Sequence, residues 1–507
     1  MTIPLCLALL TSSSRGQRFN IFELSSLPPG SQPVGINNFG QVVGNYSQNA
    51  AQYAFLWERD SAGNVSVTVL PNLGGGGNYP FTSGSAINNA GQVAGTSSAL
   101  GNLPLHAFRW DQRSGIRDLM TLGGMDSRGY GLNDNGQVVG ISHLSGQSGI
   151  HAFRYDDNGG MLDLGSLNAD LGSEAWAINS LGQVVGNANV LNSSGQIETH
   201  AFRTAPNAII SPTTDDLGTL GGARGYAYAI NMKGRVVGQA ETATRFVNHA
   251  FCTAPNSAIN IVTDDLGTFG GTESGANSIN NSDQVVGYAD TVDDEARAFL
   301  WENGQLMDLN DLIPENSAWE LWNAQGINDR GQIVGTGLHD GQFRAFFLTP
   351  VMLGVDISYS AKLPPDTFWK SLRDAGYNFV IHEGWTGLGA VHASEQNLKN
   401  ARTNGLLTAG YCYLNFVTNK SAACQVYEAI VAFGTEAEHL SFIAIDVEDA
   451  FLPSGLKTPP YDRTEQTKAV GRIAEAVETV ADAGLRPVYL HGTFFLDSNY
   501  GQHNPVL

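Results

Sequence analysis

Three acidic residues in the last third of the chain have the type and spacing to do hydrolytic chemistry: Asp356, Asp446 and Glu448. Asp446 and Glu448 close an apolar run, Leu440-Ser441-Phe442-Ile443-Ala444-Ile445, that reads as a β-strand. Residues two apart on a strand share a face, with Cα atoms roughly 6.5–7 Å apart. Ala444, Asp446 and Glu448 are therefore expected on one side, and Ile443, Ile445 and Val447 on the other. Two carboxyl groups beside an apolar strand push each other's pKa values apart, so that one stays protonated as a general acid. Glycoside hydrolysis needs that pairing. On spacing alone, acids that cap a following helix or hold an arginine explain the pattern equally well.

The elements around these acids alternate. Strands are expected over Gly354 to Ser358, Tyr377 to His382, Leu406 to Phe416, Leu440 to Glu448 and Arg486 to Leu490. Helices are expected between them, over Asp366 to Ala375, Ser394 to Thr403, Cys424 to Gly434 and Thr464 to Ala483. Such alternation predicts parallel strands with right-handed crossovers, and chemistry at their C-terminal ends.

The region 351–507 resembles glycoside hydrolase family 25, the lysozyme-like muramidases that cut peptidoglycan. The resemblance lies in Gly354-Val355-Asp356-Ile357-Ser358, Ala375-Gly376-Tyr377-Asn378-Phe379-Val380-Ile381, Ala409-Gly410-Tyr411-Cys412-Tyr413, Asp446-Val447-Glu448 and Val488-Tyr489. It implies a (βα) TIM-like barrel with Glu448 as general acid, assisted by Asp446 and Asp356. It further implies Tyr411, Tyr413, Tyr489 and Trp385 as sugar-facing aromatics, with peptidoglycan or a related glycan as substrate and no cofactor. The family carries another carboxylate-bearing strand late in its barrel, whereas this chain stops at Leu507. A partial barrel short of roughly its last third is expected. That is either a fragment of a longer enzyme or a degenerate, non-catalytic scaffold beside a glycan- or protein-binding module.

The region 17–350 is built differently. Gly131-Leu132-Asn133-Asp134-Asn135-Gly136-Gln137-Val138-Val139-Gly140 recurs in close copies beginning at Gly35, Ala86, Ala177, Ala229, Ser278 and Gly326. Each copy is followed by an aromatic element such as His151-Ala152-Phe153, and several by an Asp-Leu-Gly-like element. Polar turn residues between β-favouring runs predict a hairpin. Two further short strands complete four per repeat, at a period near that of a β-propeller blade. One strand, Phe19 to Leu24, precedes the first hairpin, and none follows Arg344 to Leu348. Pairing those two would close a ring and hide both open edges. The reading is an all-β seven-bladed propeller. The repeats resemble the HAF-repeat family of bacterial extracellular proteins, which implies architecture and an extracellular or cell-surface location but no reaction.

Composition narrows the partners. With 48 acidic against 27 basic residues, the net charge of −21 argues against a nucleic-acid backbone or an anionic membrane. No apolar run is long enough to span a membrane. Residues 1–16 read as a truncated signal segment, apolar but without the basic residues that should precede it. The recurring histidines sit at one phase of each repeat, and Tyr53, Arg297 and Arg344 take their place in three copies, so no metal site is expected. The Asn-rich turns lack the paired carboxylates of a calcium loop. Cys412 and Cys424 are read as buried free thiols rather than a disulfide. The chain is expected as a monomer, with a possible protein partner at the propeller face.

Overall fold

A computed structural model describes residues 8–9, 18–351 apart from a few loop positions (61–62, 76, 78–79, 100–103, 148 and 170), and parts of 354–491. Those parts are 354–357, 366–374, 379–385, 391, 394–413, 420–440, 443–447, 476 and 487–491. The chain divides into two compact units, Ser14–Val351 and Met352–Leu507 taken with Met1–Ser13. The first is almost entirely β and propeller-like.

One repeat explains the rest. Strands Gly123–Leu132, Val138–Leu144, Ile150–Asp156 and Gly160–Asp163 form an antiparallel meander. Its first turn is set by Asn133, whose side-chain oxygen accepts the N–H groups of Asn135 and Gln137 at 3.1 and 3.0 Å. Gly136 closes the turn at φ 76°, a left-handed conformation that costs a glycine little. In the sixth repeat Asp283 occupies the same place at φ 64°.

The Phe of each His-Ala-Phe-like element is fully buried, in all seven copies. Each lies directly opposite the glycine that ends the Val-Val-Gly-like element of the neighbouring strand, as Phe153 lies opposite Gly140. A Cβ on Gly140 would fall 1.8 Å from the carbonyl oxygen of Arg128 and 3.0 Å from the Phe153 ring. The repeated glycine is thus a steric requirement of the repeated phenylalanine and of the strand beside it.

Four meanders are separate four-stranded sheets. Three more make a twelve-stranded sheet, joined by the single parallel bridges Thr199↔Arg224 and Asn248↔Glu273. That gives seven meanders among the described residues. The last takes its fourth strand from the other end of the unit: Phe19–Glu23 pairs antiparallel with Gln342–Pro350, from Phe19↔Pro350 to Glu23↔Phe346. Hydrophobic cores lie between successive meanders. Val139 and Ala152 of the third pack with Ala175, Val184 and Phe202 of the fourth. Val334, Ala345 and Phe347 of the last pack with Val42, Phe55 and Trp57 of the first.

The turn asparagines link the meanders into a circle. Each donates from Nδ2 to the main-chain carbonyl of the equivalent asparagine in the next repeat. The run goes from Asn37 through Asn88, Asn133, Asn179, Asn231 and Asn280 to Asn328, at 3.0–3.1 Å. Asn328 then donates to Asn37 at 2.8 Å, closing the series.

In the second unit, Gly354–Ile357, Phe379–Trp385, Leu407–Tyr413, Ile443–Val447 and Pro487–His491 lie side by side in chain order, all parallel. Ala8–Leu9 adds an antiparallel edge beside the first of them. The helices are α1 (Asp366–Asp374), α2 (Ser394–Thr403) and α3 (Ala422–Phe433). Helix α3 starts two residues before its expected position because the Ser421 hydroxyl accepts the N–H of Cys424 and caps it. Phe433 of α3 sits against the sheet where Gly384 and Gly410 leave room; a Cβ on either would lie within 2.5 Å of its ring. The expected helix over 464–483 lies outside the described residues except at Ala476, which is helical and buried. Cys412 and Cys424 are both free thiols, but only Cys412 is buried. Cys424, on the first turn of α3, is exposed, which corrects the expectation of two buried thiols.

Two outcomes follow. Gly140→Ala should lower the free energy of unfolding by about 2–3 kcal/mol through overpacking, read from the urea midpoint at constant m-value. Asn133→Ala removes four side-chain hydrogen bonds and should cost about 2–4 kcal/mol in the same assay.

Candidate functional site

The parallel sheet of the second unit fixes the backbone positions of two of the three acids, Asp356 and Asp446. Asp356 is in register with Ile381, which is in register with Ala409. Tyr411 is in register with Ala444, and Tyr413 with Asp446. Ile381, Ala409 and Tyr411 form one buried cluster. Cys412 and Ile443 belong to another, with Phe433 and the rest of the inner face of α3. Strand alternation therefore places positions 356, 413 and 446 on the side of the sheet that Tyr411 occupies, away from α3. Positions 385 and 489 do not share this register. Trp385 pairs with Cys412 after an irregularity at Gly384, and Tyr489 pairs with Ile445.

For Asp356, Trp385, Tyr413, Asp446 and Tyr489 the description covers the backbone and not the side chain, and Glu448 lies outside the described residues. Tyr411 is described fully: it is 4% exposed and packed against aliphatic neighbours.

The first unit encloses a central passage. At one end a cavity of about 280 Å³ is lined by the linked asparagines together with Asn38, Asn89, Asp134, Asn281 and Asp329. These outer residues are engaged with one another; Asn89, for example, donates to Asp134 at 3.0 Å, and Asn281 to Asp329 at 3.0 Å. A second cavity, of about 180 Å³, shares the collar of Ile36, Ile87, Leu132, Ile178 and Ile327 with the first. Tyr130, Trp176 and Tyr228 line part of it.

The histidines of the repeat do not converge. Each pairs through Nδ1 with the aspartate of its own fourth strand: His106 with Asp118 at 2.8 Å, and His151 with Asp163, His200 with Asp216 and His249 with Asp265 at 2.9 Å. In the last meander Arg344 meets Glu23 at 3.2 Å at the same level. The pairing was not among the sequence-based expectations, although the repeats that carry the histidine also carry an aspartate one strand later. The hydrogen bond that His200 donates to Asp216, together with Glu198 at 3.5 Å from the other ring nitrogen, raises the His200 pKa against its partial burial. For Asp216 burial pushes the carboxyl up, but the His200 bond and charge and the Gly218 N–H outweigh it, and its pKa is lowered. Among the described residues no group of three or more His, Cys, Asp or Glu side chains could hold a metal ion, and no helix is long and apolar enough to cross a membrane.

Residues 223–346 match a family model described as "Protein of unknown function (DUF3466)". No curated protein matches the chain. Among solved structures, the chain is similar to a muramidase from Acremonium alcalophilum at 17% identity and a TM-score of 0.19, over 27% of this chain and 63% of that one. It is similar to a Trypanosoma rangeli sialidase at 9% identity and a TM-score of 0.33, over 68% of this chain and 60% of that one. The modular autolysin LytC from Streptococcus pneumoniae aligns at 12% identity and a TM-score of 0.22, over 76% of this chain and 84% of that one.

The His200–Asp216 pair sets a pH dependence. A histidine whose pKa is raised in the folded state contributes stability that is full below its unfolded value, 6.5, and is lost as pH rises through the higher folded value. The lowered Asp216 contributes above its unfolded value, 3.8, and loses that contribution as pH falls through the lower folded value. Stability of the native chain relative to His200→Gln should therefore be greatest near about pH 5 and decline toward about pH 9. Paired urea titrations at the two pH values check this; a gap that widens with pH contradicts the assignment.

Proposed function

We propose that this chain is a secreted glycan-cleaving protein in which a seven-bladed β-propeller of HAF-type repeats binds and a partial (βα) barrel hydrolyses. The substrate is peptidoglycan or a related glycan, and the reaction is muramidase-like. Glu448 protonates the leaving oxygen, while Asp446 and Asp356 stabilise the developing positive charge or position the attacking group. The observation that carries this reading is the register of the parallel sheet. Positions 356 and 446 share one face of the sheet, on its first and fourth parallel strands, and this class of fold does its chemistry at the C-terminal ends of such strands. No metal or cofactor enters such a reaction, and the protein acts outside the cell or at its surface.

A second reading keeps the binding function and drops the catalysis. It is favoured by Tyr411, which is packed among Ile381 and Ala409 rather than presented to a ligand.

The two separate on one experiment. Purified full-length chain is incubated with peptidoglycan and new reducing ends are counted. Hydrolysis should occur, and Glu448→Gln should reduce it by about a thousand-fold with an unchanged circular dichroism spectrum. Equal hydrolysis by the variant, or none by the native chain, would leave a binding protein.

A further inference from the structure

The cavity of about 180 Å³ in the first unit is asymmetric in a way that its repeat does not require. Seven equivalent positions, each just before the Gly/Ala/Ser-Ile/Leu-Asn core of the repeat, line it. The core triplet is nearly invariant because it builds the asparagine circle. The position before it is Val34, Ser85, Tyr130, Trp176, Tyr228, Asn277 and Gln325 in turn. Valine and serine serve there as well as tryptophan, so sheet packing does not dictate the residue. Yet the three aromatics fall on consecutive meanders, and two carboxamides fall on the next two.

The aromatic side is held rigid. Tyr130 and Trp176 stack at 4.5 Å between centroids and 9° between planes, and Tyr228 meets Trp176 edge-on at 6.0 Å. The Trp176 indole N–H donates to Asn187 Oδ1 at 2.7 Å, which fixes the ring. Burial pushes Tyr228 up to about 12, so its hydroxyl remains a neutral donor. Opposite, Asn277 is fixed by donating to Asn323 Oδ1 and the Ala324 carbonyl at 2.7 and 2.9 Å. The carboxamide of Gln325 and the hydroxyl of Ser85 make no hydrogen bond within the described residues. Among the described residues no Asp, Glu, Lys, Arg or His lines the cavity.

We propose that this end of the central passage binds an uncharged sugar, one glycan residue or chain end. Its apolar C–H groups would pack against the Tyr130–Trp176–Tyr228 wall, and its hydroxyl or acetamido groups would meet Asn277, Gln325 and Ser85. Aromatic side chains supply a large, rigid apolar surface; the Asn277 oxygen accepts, its two N–H groups being held by Asn323 and Ala324, while the Gln325 carboxamide can both donate and accept. A charged ligand would be stripped of water without a charged side chain lining the cavity to meet it. The site gives a location and a ligand class to the binding half of the function proposed above, and it rests on that half alone.

The test uses the full chain carrying Glu448→Gln, so that turnover cannot consume the probe. Tryptophan fluorescence and calorimetry follow titration with the N-acetylglucosamine tetrasaccharide, cellotetraose and maltotetraose, with a galacturonate oligomer as charged control. At least one neutral oligosaccharide should bind at a single site. Trp176→Ala should weaken it about tenfold and Gln325→Ala about threefold. If Trp176→Ala lowers the thermal midpoint sharply, Gln325→Ala carries the decision. Overturning results are no binding by any neutral probe, equal binding by the galacturonate, or affinity unchanged in the folded variants. Loss of hydrolysis in the native chain with retained sugar binding removes only the catalytic proposal. Retained hydrolysis without binding removes only this one.

Discussion

The hydrogen bond from each turn asparagine to the carbonyl of the next is the contact on which the first unit depends. An asparagine side chain offers two donor hydrogens and two acceptor lone pairs. Asn133 uses both lone pairs inside its own turn, one hydrogen on the Gln137 side chain, and the last on Asn179 across the gap. One side chain thus shapes the turn and sets the spacing to the neighbour. Its burial would be costly if any of these bonds were missing. Where the repeat departs, it compensates. Arg235 stands where other repeats have glutamine, and Asn231 instead donates to Asp283 of the next meander at 2.8 Å.

A closed series cannot be extended or shortened by one member without misplacing all the others. That constraint accounts for the long-range pairing of Phe19–Glu23 with Gln342–Pro350. It leaves no open edge between the first and last meanders, where exposed strands would invite association. It also separates positions that must stay constant from those free to vary. The glycine opposite each buried phenylalanine and the asparagine of each turn belong to the first group. The residue facing the passage just before that asparagine belongs to the second, and there chemistry has diverged from tyrosine and tryptophan to amide.

The second unit shows a different dependence. Its acids gain meaning only from the register of parallel strands, because a one-residue slip turns a side chain to the opposite face. Asp356 and Asp446 keep a common face through Ile381, Ala409, Tyr411 and Tyr413. The irregularity at Gly384 takes Trp385 out of that company. The Phe433 ring presses on the sheet at that glycine as it does at Gly410, so part of the packing that fastens α3 and the slip that shifts Trp385 occur at one place.

The sequence by itself determined much of this protein, since repeats and alternation are local properties. Seven copies of a turn with fixed spacing dictate seven hairpins, and a strand unmatched at each end dictates where the ring closes. Apolar runs between amphipathic stretches likewise dictate the parallel strands and helices α1 to α3. Tertiary structure alone decided what those elements do to one another. The histidines find their aspartate partners on a separate strand, brought within 3 Å only by the meander. Tyr411 read as sugar-facing, yet it is buried, because strand alternation does not say what covers a face. The aromatic and amide walls are five residues, Tyr130, Trp176, Tyr228, Asn277 and Gln325, one from each of five repeats, and they become one surface only when the circle closes. Contacts within a repeat are written in its spacing; contacts between repeats depend on a closure that no single repeat encodes.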